Sequence, residues 1–102
     1  MESELIYHIT TFAWWSKQSA ADSYATETLA EEGFIHCSTS EQVKATLERY
    51  YANQKGLLLL HIDPTLLKAE LKFEVSTNDQ LFPHVFGEIN REAIIKVEEL
   101  SH

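Results

Sequence analysis

Leu57-Leu58-Leu59-Leu60-His61-Ile62 decides how this chain folds. The run carries no carboxylate, lysine or arginine, follows Gly56 and is closed by Asp63-Pro64. It is too short for a buried helix and reads as a strand covered on both faces, hence a central one. Downstream, Ala69-Glu70-Leu71-Lys72-Phe73-Glu74-Val75 alternates apolar and charged residues, as a strand with one wet face does. Leu81-Phe82-Pro83-His84-Val85-Phe86-Gly87 is extended, but its proline bars it from a regular central ladder, and residues 94–100 close the chain as a last strand. Upstream the pattern changes to helices. Thr10 or Thr11 caps a helix over 12–18 with Phe12 and Trp15 on its buried side, and Gly33 ends about two turns over 27–32 in a left-handed cap. Val43, Leu47, Tyr50 and Tyr51 give residues 41–53 a helical stripe, with Ser40 as the expected N-cap. Leu5 to Thr10 and Phe34 to Ser38 are two further strands, the polar stretch 19–26 reads as a cover over a site, and Leu66-Leu67 as a short helical turn. Helices early and strands late, without regular strand-helix alternation, predict an α+β domain with a mixed or mainly antiparallel sheet.

A chain of 102 residues holds one core, so residues 1–102 are read as a single domain. Apolar residues at 44% and charged residues at 24% are ordinary for a globular protein and exclude collagen-like and disordered classes. The formal charge of -8, with lysines and arginines scattered singly, disfavours bulk nucleic acid as a partner. The longest apolar run is far too short for a membrane span, and the acidic start lacks the features of a signal peptide. A soluble, cytoplasmic protein is therefore expected, with the two tails frayed. The single cysteine, Cys37, has no internal disulfide partner and lies in an apolar segment as a small hydrophobe.

The histidines carry the chemistry. His8, His36 and His84 each sit between apolar or aromatic neighbours in strand-like segments. An imidazole buried there needs partners for both nitrogens, which means a hydrogen-bonded network or a ligand. For any one of them alone, a bond to backbone or a nearby hydroxyl is the plainer account. His61 lies at the rim and His102 at the terminus, so neither enters the site. A zinc site is disfavoured, because no H-x-x-x-H, C-x-x-C or H-E-x-x-H pair is present and the adjacent His36 and Cys37 point to opposite faces of a strand. Ser38 shares the face of His36 at a strand end, where ligands commonly meet a sheet, although a capping hydroxyl is the simpler role. Glu74, alternating with Lys72 and Glu70, reads as part of a solvated face, and Glu88 as a turn residue beside His84. Trp14 and Trp15 read as core, with one of them partly outward.

Ile6-Tyr7-His8-Ile9-Thr10, Gly33-Phe34-Ile35-His36-Cys37-Ser38 and Phe82-Pro83-His84-Val85-Phe86-Gly87 together resemble the signature of the bacterial domain-of-unknown-function family 952. Glu41-Gln42-Val43, Ile62-Asp63-Pro64 and Leu71-Lys72-Phe73-Glu74 fall between them in the expected order. The resemblance implies an ADP-ribosyltransferase-like fold, a split mixed sheet that in active members grips NAD between its halves. It also implies NAD or a related nucleotide as the ligand, held by His8, Thr10, His36 and Ser38. The late-strand glutamate of many transferases has no clear counterpart here, which leaves His84 and Glu88 as the candidate catalytic residues. The alternative is a non-enzymatic ligand-binding or protein-interaction module whose histidines are structural.

Overall fold

The structure is a computed structural model that describes residues 4–18 and 21–100. Strand β4 (Leu57–Ile62) lies between β1 (Ile6–Thr11) and β8 (Ile94–Leu100), antiparallel to both. Leu57 and Leu59 pack with Ile9 against Val43 and Leu47 of helix α3 (Val43–Tyr50), while Leu60 and Ile62 join Ile6, Ile35, Val85 and Ile89 in a larger core. Both faces of β4 are thus covered. This is why the strand reads as consecutive leucines rather than as an alternation. Its one polar member, His61, emerges at the strand end and meets Glu98 at 2.8 Å.

A second sheet has the order β3 (Ile35–His36), β6 (Leu81–Phe86), β5 (Glu70–Val75), and a two-stranded ladder joins β2 (Ser23–Tyr24) to β7 (Ile89–Asn90). Every strand pair among the described residues is antiparallel, so the domain is α+β as expected but its sheets are not mixed. Helices α1 (Phe12–Lys17) and α2 (Leu29–Glu32) precede α3, all in the first half of the chain. Gly33 ends α2 at φ +84°, with its N–H on the Leu29 carbonyl at 2.7 Å, a conformation that favours glycine. Short 3-10 turns at Pro64–Leu66, Thr77–Asp79 and Arg91–Ala93 connect the later strands.

Several expectations need correction. β6 is the centre of its sheet despite Pro83. The Pro83 carbonyl accepts from Cys37 N–H at 2.9 Å, and the reciprocal donor, which proline lacks, would be needed only where β3 has already ended. Ser40 is not the cap of α3. That helix begins later, behind Gln42, whose side chain instead accepts from Thr39 N–H at 3.0 Å. Thr11 does cap α1, accepting from Trp14 N–H at 3.0 Å, but Phe12 is 57% exposed. Trp14 and Trp15 turn inward in its place, and Trp14 Nε1 donates to the Ala25 carbonyl at 2.7 Å. On β5 only Leu71 reaches the core, because Phe73 and Val75 run out along an edge strand. The 19–26 segment is more than a cover: within it β2 places Tyr24 in the core, while residues 19 and 20 lie outside the described residues, as do Met1 to Ser3 and the last two residues. Among the described residues no helix is long and apolar enough to cross a membrane.

Because Leu60 is fully buried between the sheets, Leu60→Ala should destabilise the domain by about 2–5 kcal/mol, whereas Phe73→Ala on the exposed edge should cost within about 0.5 kcal/mol. Urea midpoints at constant m-value check both. Equal losses would contradict this division of core and edge.

Candidate functional site

The site is a consequence of where two strands part. β1 and the chain after β3 touch at a single bridge, in which Tyr7 N–H donates to the Ser38 carbonyl at 2.8 Å and Ser38 N–H to the Tyr7 carbonyl at 2.7 Å. Past that bridge an antiparallel ladder would set Ile9 opposite His36, but β1 stays with β4 and β3 with β6, so the two strands part. The opening between them is a cavity of about 310 Å³, walled by β1, Tyr24, His36, Ser38, Thr46 and Tyr51. In an antiparallel strand the backbone groups of alternate residues point the same way. Since Tyr7 turns its N–H and C=O to Ser38, Ile9 must direct its own pair to the same side, into the cavity it lines.

His8 is held inside this wall. Its Nδ1 donates to the His36 carbonyl at 2.8 Å, and its Nε2 lies 3.0 Å from the Tyr24 hydroxyl, which is itself 2.9 Å from Thr10 Oγ1. Because a carbonyl can only accept, Nδ1 carries the proton and neutral His8 keeps a bare Nε2. The one phenol proton then has two acceptors in reach. If His8 is charged, Nε2–H donates to the phenol and the phenol proton turns wholly to Thr10. Burial lowers the His8 pKa to about 4, only partly opposed by the bond to the His36 carbonyl, with His36 adding a smaller repulsion. Burial likewise raises the pKa of the Tyr24 phenol, so at neutral pH both groups are uncharged.

His36 stands across the cavity at the end of a second chain of bonds. Its Nδ1 is 3.1 Å from His84 Nε2, and His84 Nδ1 donates to Glu74 Oε1 at 2.7 Å. His36 and His84 are direct cross-strand partners on β3 and β6, while Glu74 is the diagonal neighbour of His84 on β5. Burial, then the neighbouring His84, lowers the His36 pKa, and Glu32 works in the opposite sense. Elsewhere in the wall Ser38 Oγ and Thr46 Oγ1 share a hydrogen bond at 3.3 Å. No lysine or arginine lines the cavity among the described residues, but Glu27 and Glu32 do, exposed at its rim.

Of the residues singled out in the sequence, His8, Thr10, His36 and Ser38 line this one cavity. His84 is buried behind His36 and reaches the cavity only through it. Glu88 is exposed outside the lining, where it accepts from Ser23 Oγ. Glu74 is not merely a member of a solvated face, since it anchors His84. The sequence reading missed Tyr24, Thr46 and the rim glutamates. Tyr24 alone carried a signal, as the one large aromatic in a polar stretch. Among the described residues no group of three or more histidine, cysteine, aspartate or glutamate side chains is placed to hold a metal ion, and burial pushes the Cys37 thiol up, away from reactivity.

Fold and site together define a small α+β domain with a histidine- and hydroxyl-lined cavity at a split between two sheets. The chain belongs to the family described as protein of unknown function DUF952, which matches residues 9–97. It is similar to the crystal structure of protein CC0527 from Caulobacter crescentus, at 28% identity and a TM-score of 0.86 over 95% of this chain and 86% of that one. A double mutant of CC0527 gives the same values, and its solution NMR structure gives a TM-score of 0.81 over 84% of its length. No curated protein matches.

The low pKa of His8 makes a prediction about acid. An unfolded histidine titrates near 6.5, so between about pH 6.5 and pH 4 the unfolded chain binds the extra proton, and folding stability falls as pH drops through that window. The full effect of His8 is roughly 3 kcal/mol, present as lost stability below pH 4 and absent above pH 7. His36 contributes with the same sign. His8→Asn, which keeps a donor for the His36 carbonyl, should remove at least half of the acid-dependent loss. Urea unfolding across pH 4 to 7.5 measures it, and an unchanged slope in the variant would show that His8 is not the titrating group.

Proposed function

We propose that the cavity takes the ring-and-ribose end of a nucleotide, with NAD as the ligand that the family resemblance implies and ADP-ribosyl transfer as the reaction class. One observation supports this above the rest: among the described residues the backbone N–H and C=O of Ile9 have no strand partner, and the register turns them to the side of the cavity that Ile9 lines. A primary carboxamide such as that of nicotinamide presents the matching acceptor and donor. The Thr10 and Ser38 hydroxyls lie on the same wall, Thr10 linked to His8 through the Tyr24 hydroxyl, within the range of partners a ribose can use. A sheet split at the Tyr7–Ser38 bridge, with the cavity in the opening, also accords with the divided NAD cleft of ADP-ribosyltransferase-like folds.

Charge favours one orientation. Without a lysine or arginine in the lining, the cavity does not suit a pyrophosphate, which would remain outside it. Glu27 and Glu32 suit the positively charged nicotinamide ring of oxidised NAD. They also suit the positive charge that grows on the ribose carbon as the glycosidic bond breaks. In this reading the carboxylates at the rim take the role that the sequence offered to His84 or Glu88. A cavity of about 310 Å³ is at the small end of ligand sites and is sized for part of a dinucleotide.

Isothermal titration with NAD, nicotinamide riboside and ADP-ribose tests the proposal. NAD and nicotinamide riboside should bind to the wild-type chain, and ADP-ribose, which lacks the ring, at least tenfold more weakly. Thr10→Val and His8→Ala should each weaken NAD by about tenfold or more, the cost of about one well-placed hydrogen bond. No binding by any of the three, or binding that ignores both substitutions, would reject the nucleotide reading and favour a domain whose histidines serve the fold.

A further inference from the structure

We infer that Glu74, His84 and His36 form a proton relay in which His36 accepts a proton at the cavity wall and His84 stores the resulting charge beside Glu74. Each of the three strands β3, β6 and β5 supplies one member, so the relay runs across the sheet from the cavity to the solvent side of Glu74. Its direction is set by donor and acceptor chemistry. Glu74, ionised, can only accept, so His84 carries its proton on Nδ1 and presents a bare Nε2. That nitrogen 3.1 Å away requires a proton on His36 Nδ1, which leaves His36 Nε2 as the free basic atom.

Proton uptake then balances without any further partner. A hydronium ion reaching the cavity from solvent gives its proton to His36 Nε2 and leaves as water. The proton on His36 Nδ1 passes to His84 Nε2, and His84 becomes an imidazolium bonded through Nδ1–H to the Glu74 carboxylate. His36 ends neutral with its proton on Nε2, and one positive charge has moved from the cavity wall to a site with a counter-ion. Geometry holds the chain in register: Phe34 stacks on His84 at 4.2 Å between centroids and 20° between planes, and Phe82 packs beside His36. The other titratable or charged groups around it are Glu32 near His36, neutral His8 on the His36 carbonyl, and Lys72 opposite His84. Lys72 directs its ammonium to Glu70 at 3.9 Å and over the Phe86 ring, which leaves Glu74 to His84. Burial and the neighbouring His84 both oppose a charge on His36 itself, in keeping with storage one residue further back.

The use of this relay in turnover rests on the cavity being a substrate site; the relay itself does not. His36 is the member facing the cavity, and His84 and Glu74 are positioning residues. The test is imidazole nitrogen NMR on the full, ligand-free chain. At high pH His36 should be the Nδ1–H form, and on acidification it should switch to the neutral Nε2–H form as His84 takes up the proton. Glu74→Gln keeps an acceptor for His84 while removing the charge, and should lower the pH of that switch. His84→Phe, which preserves the stack on Phe34, should abolish the switch and leave His36 to titrate directly. If that variant does not fold, Glu74→Gln decides. An Nε2–H His36 at every pH, direct charging of His36 in the wild type, or an unmoved midpoint in Glu74→Gln would overturn the relay. A switch that behaves as described in a chain that binds no nucleotide would uphold the relay and reject the ligand assignment alone.

Discussion

Two backbone hydrogen bonds between Tyr7 and Ser38 tie the edge strand of one three-stranded sheet to the chain leaving the other, in addition to the apolar core the two sheets share, and the fact that the ladder stops there creates the site. Had β1 and β3 continued in the register of that bridge, Ile9 would have paired with His36 and no cavity would remain. The ladder stops because each strand already has another partner: β1 stays on β4, Ile35 and His36 pair with Val85 and His84 of β6, and the His36 carbonyl accepts from the His8 ring. The same break therefore joins the sheets at one point and opens them at the next.

Electrically the cavity is divided. Its inner wall is made of groups kept neutral by burial, His8 and Tyr24 above all, while its rim carries two carboxylates and its far wall ends in a histidine linked to a third. Low dielectric around the inner wall strengthens the hydrogen bonds there, and the same property makes charge costly on any member without a counter-ion. His8 has none, so it serves as a fixed pair of hydrogen-bonding atoms. His84 has Glu74. Two histidines of similar burial thus differ in what they can do because of what lies on the second nitrogen.

The α+β class was legible from Leu57 to Ile62 and from the alternation at 70–75, because burial on two faces and burial on one leave different patterns. The histidines were legible for a related reason: a polar ring between apolar neighbours has to be satisfied by something specific. What escaped the sequence was everything fixed by register. β2 and β7 are two residues long and carry no periodicity, so the core position of Tyr24 could not be read. Glu74 alternates with Lys72 and Glu70 just as a solvated carboxylate does, and only the pairing of Glu74 with Phe82 sets it diagonally beside His84. Proline at 83 suggested an irregular edge strand, yet it sits in the middle of a sheet whose neighbour happens to end opposite it.

Tyr24 has two duties that meet in one side chain: its ring fills the core between Trp15 and His8, and its hydroxyl faces His8 and Thr10. The first duty needs only an aromatic volume, the second a single oxygen atom. Divergence in related chains can therefore separate them at that atom and nowhere else. A relative with phenylalanine at this place would keep its core and leave His8 Nε2 unanswered, a domain that has kept its architecture after setting aside its inner wall. One position thus offers a reading of which descendants of this fold still need the cavity.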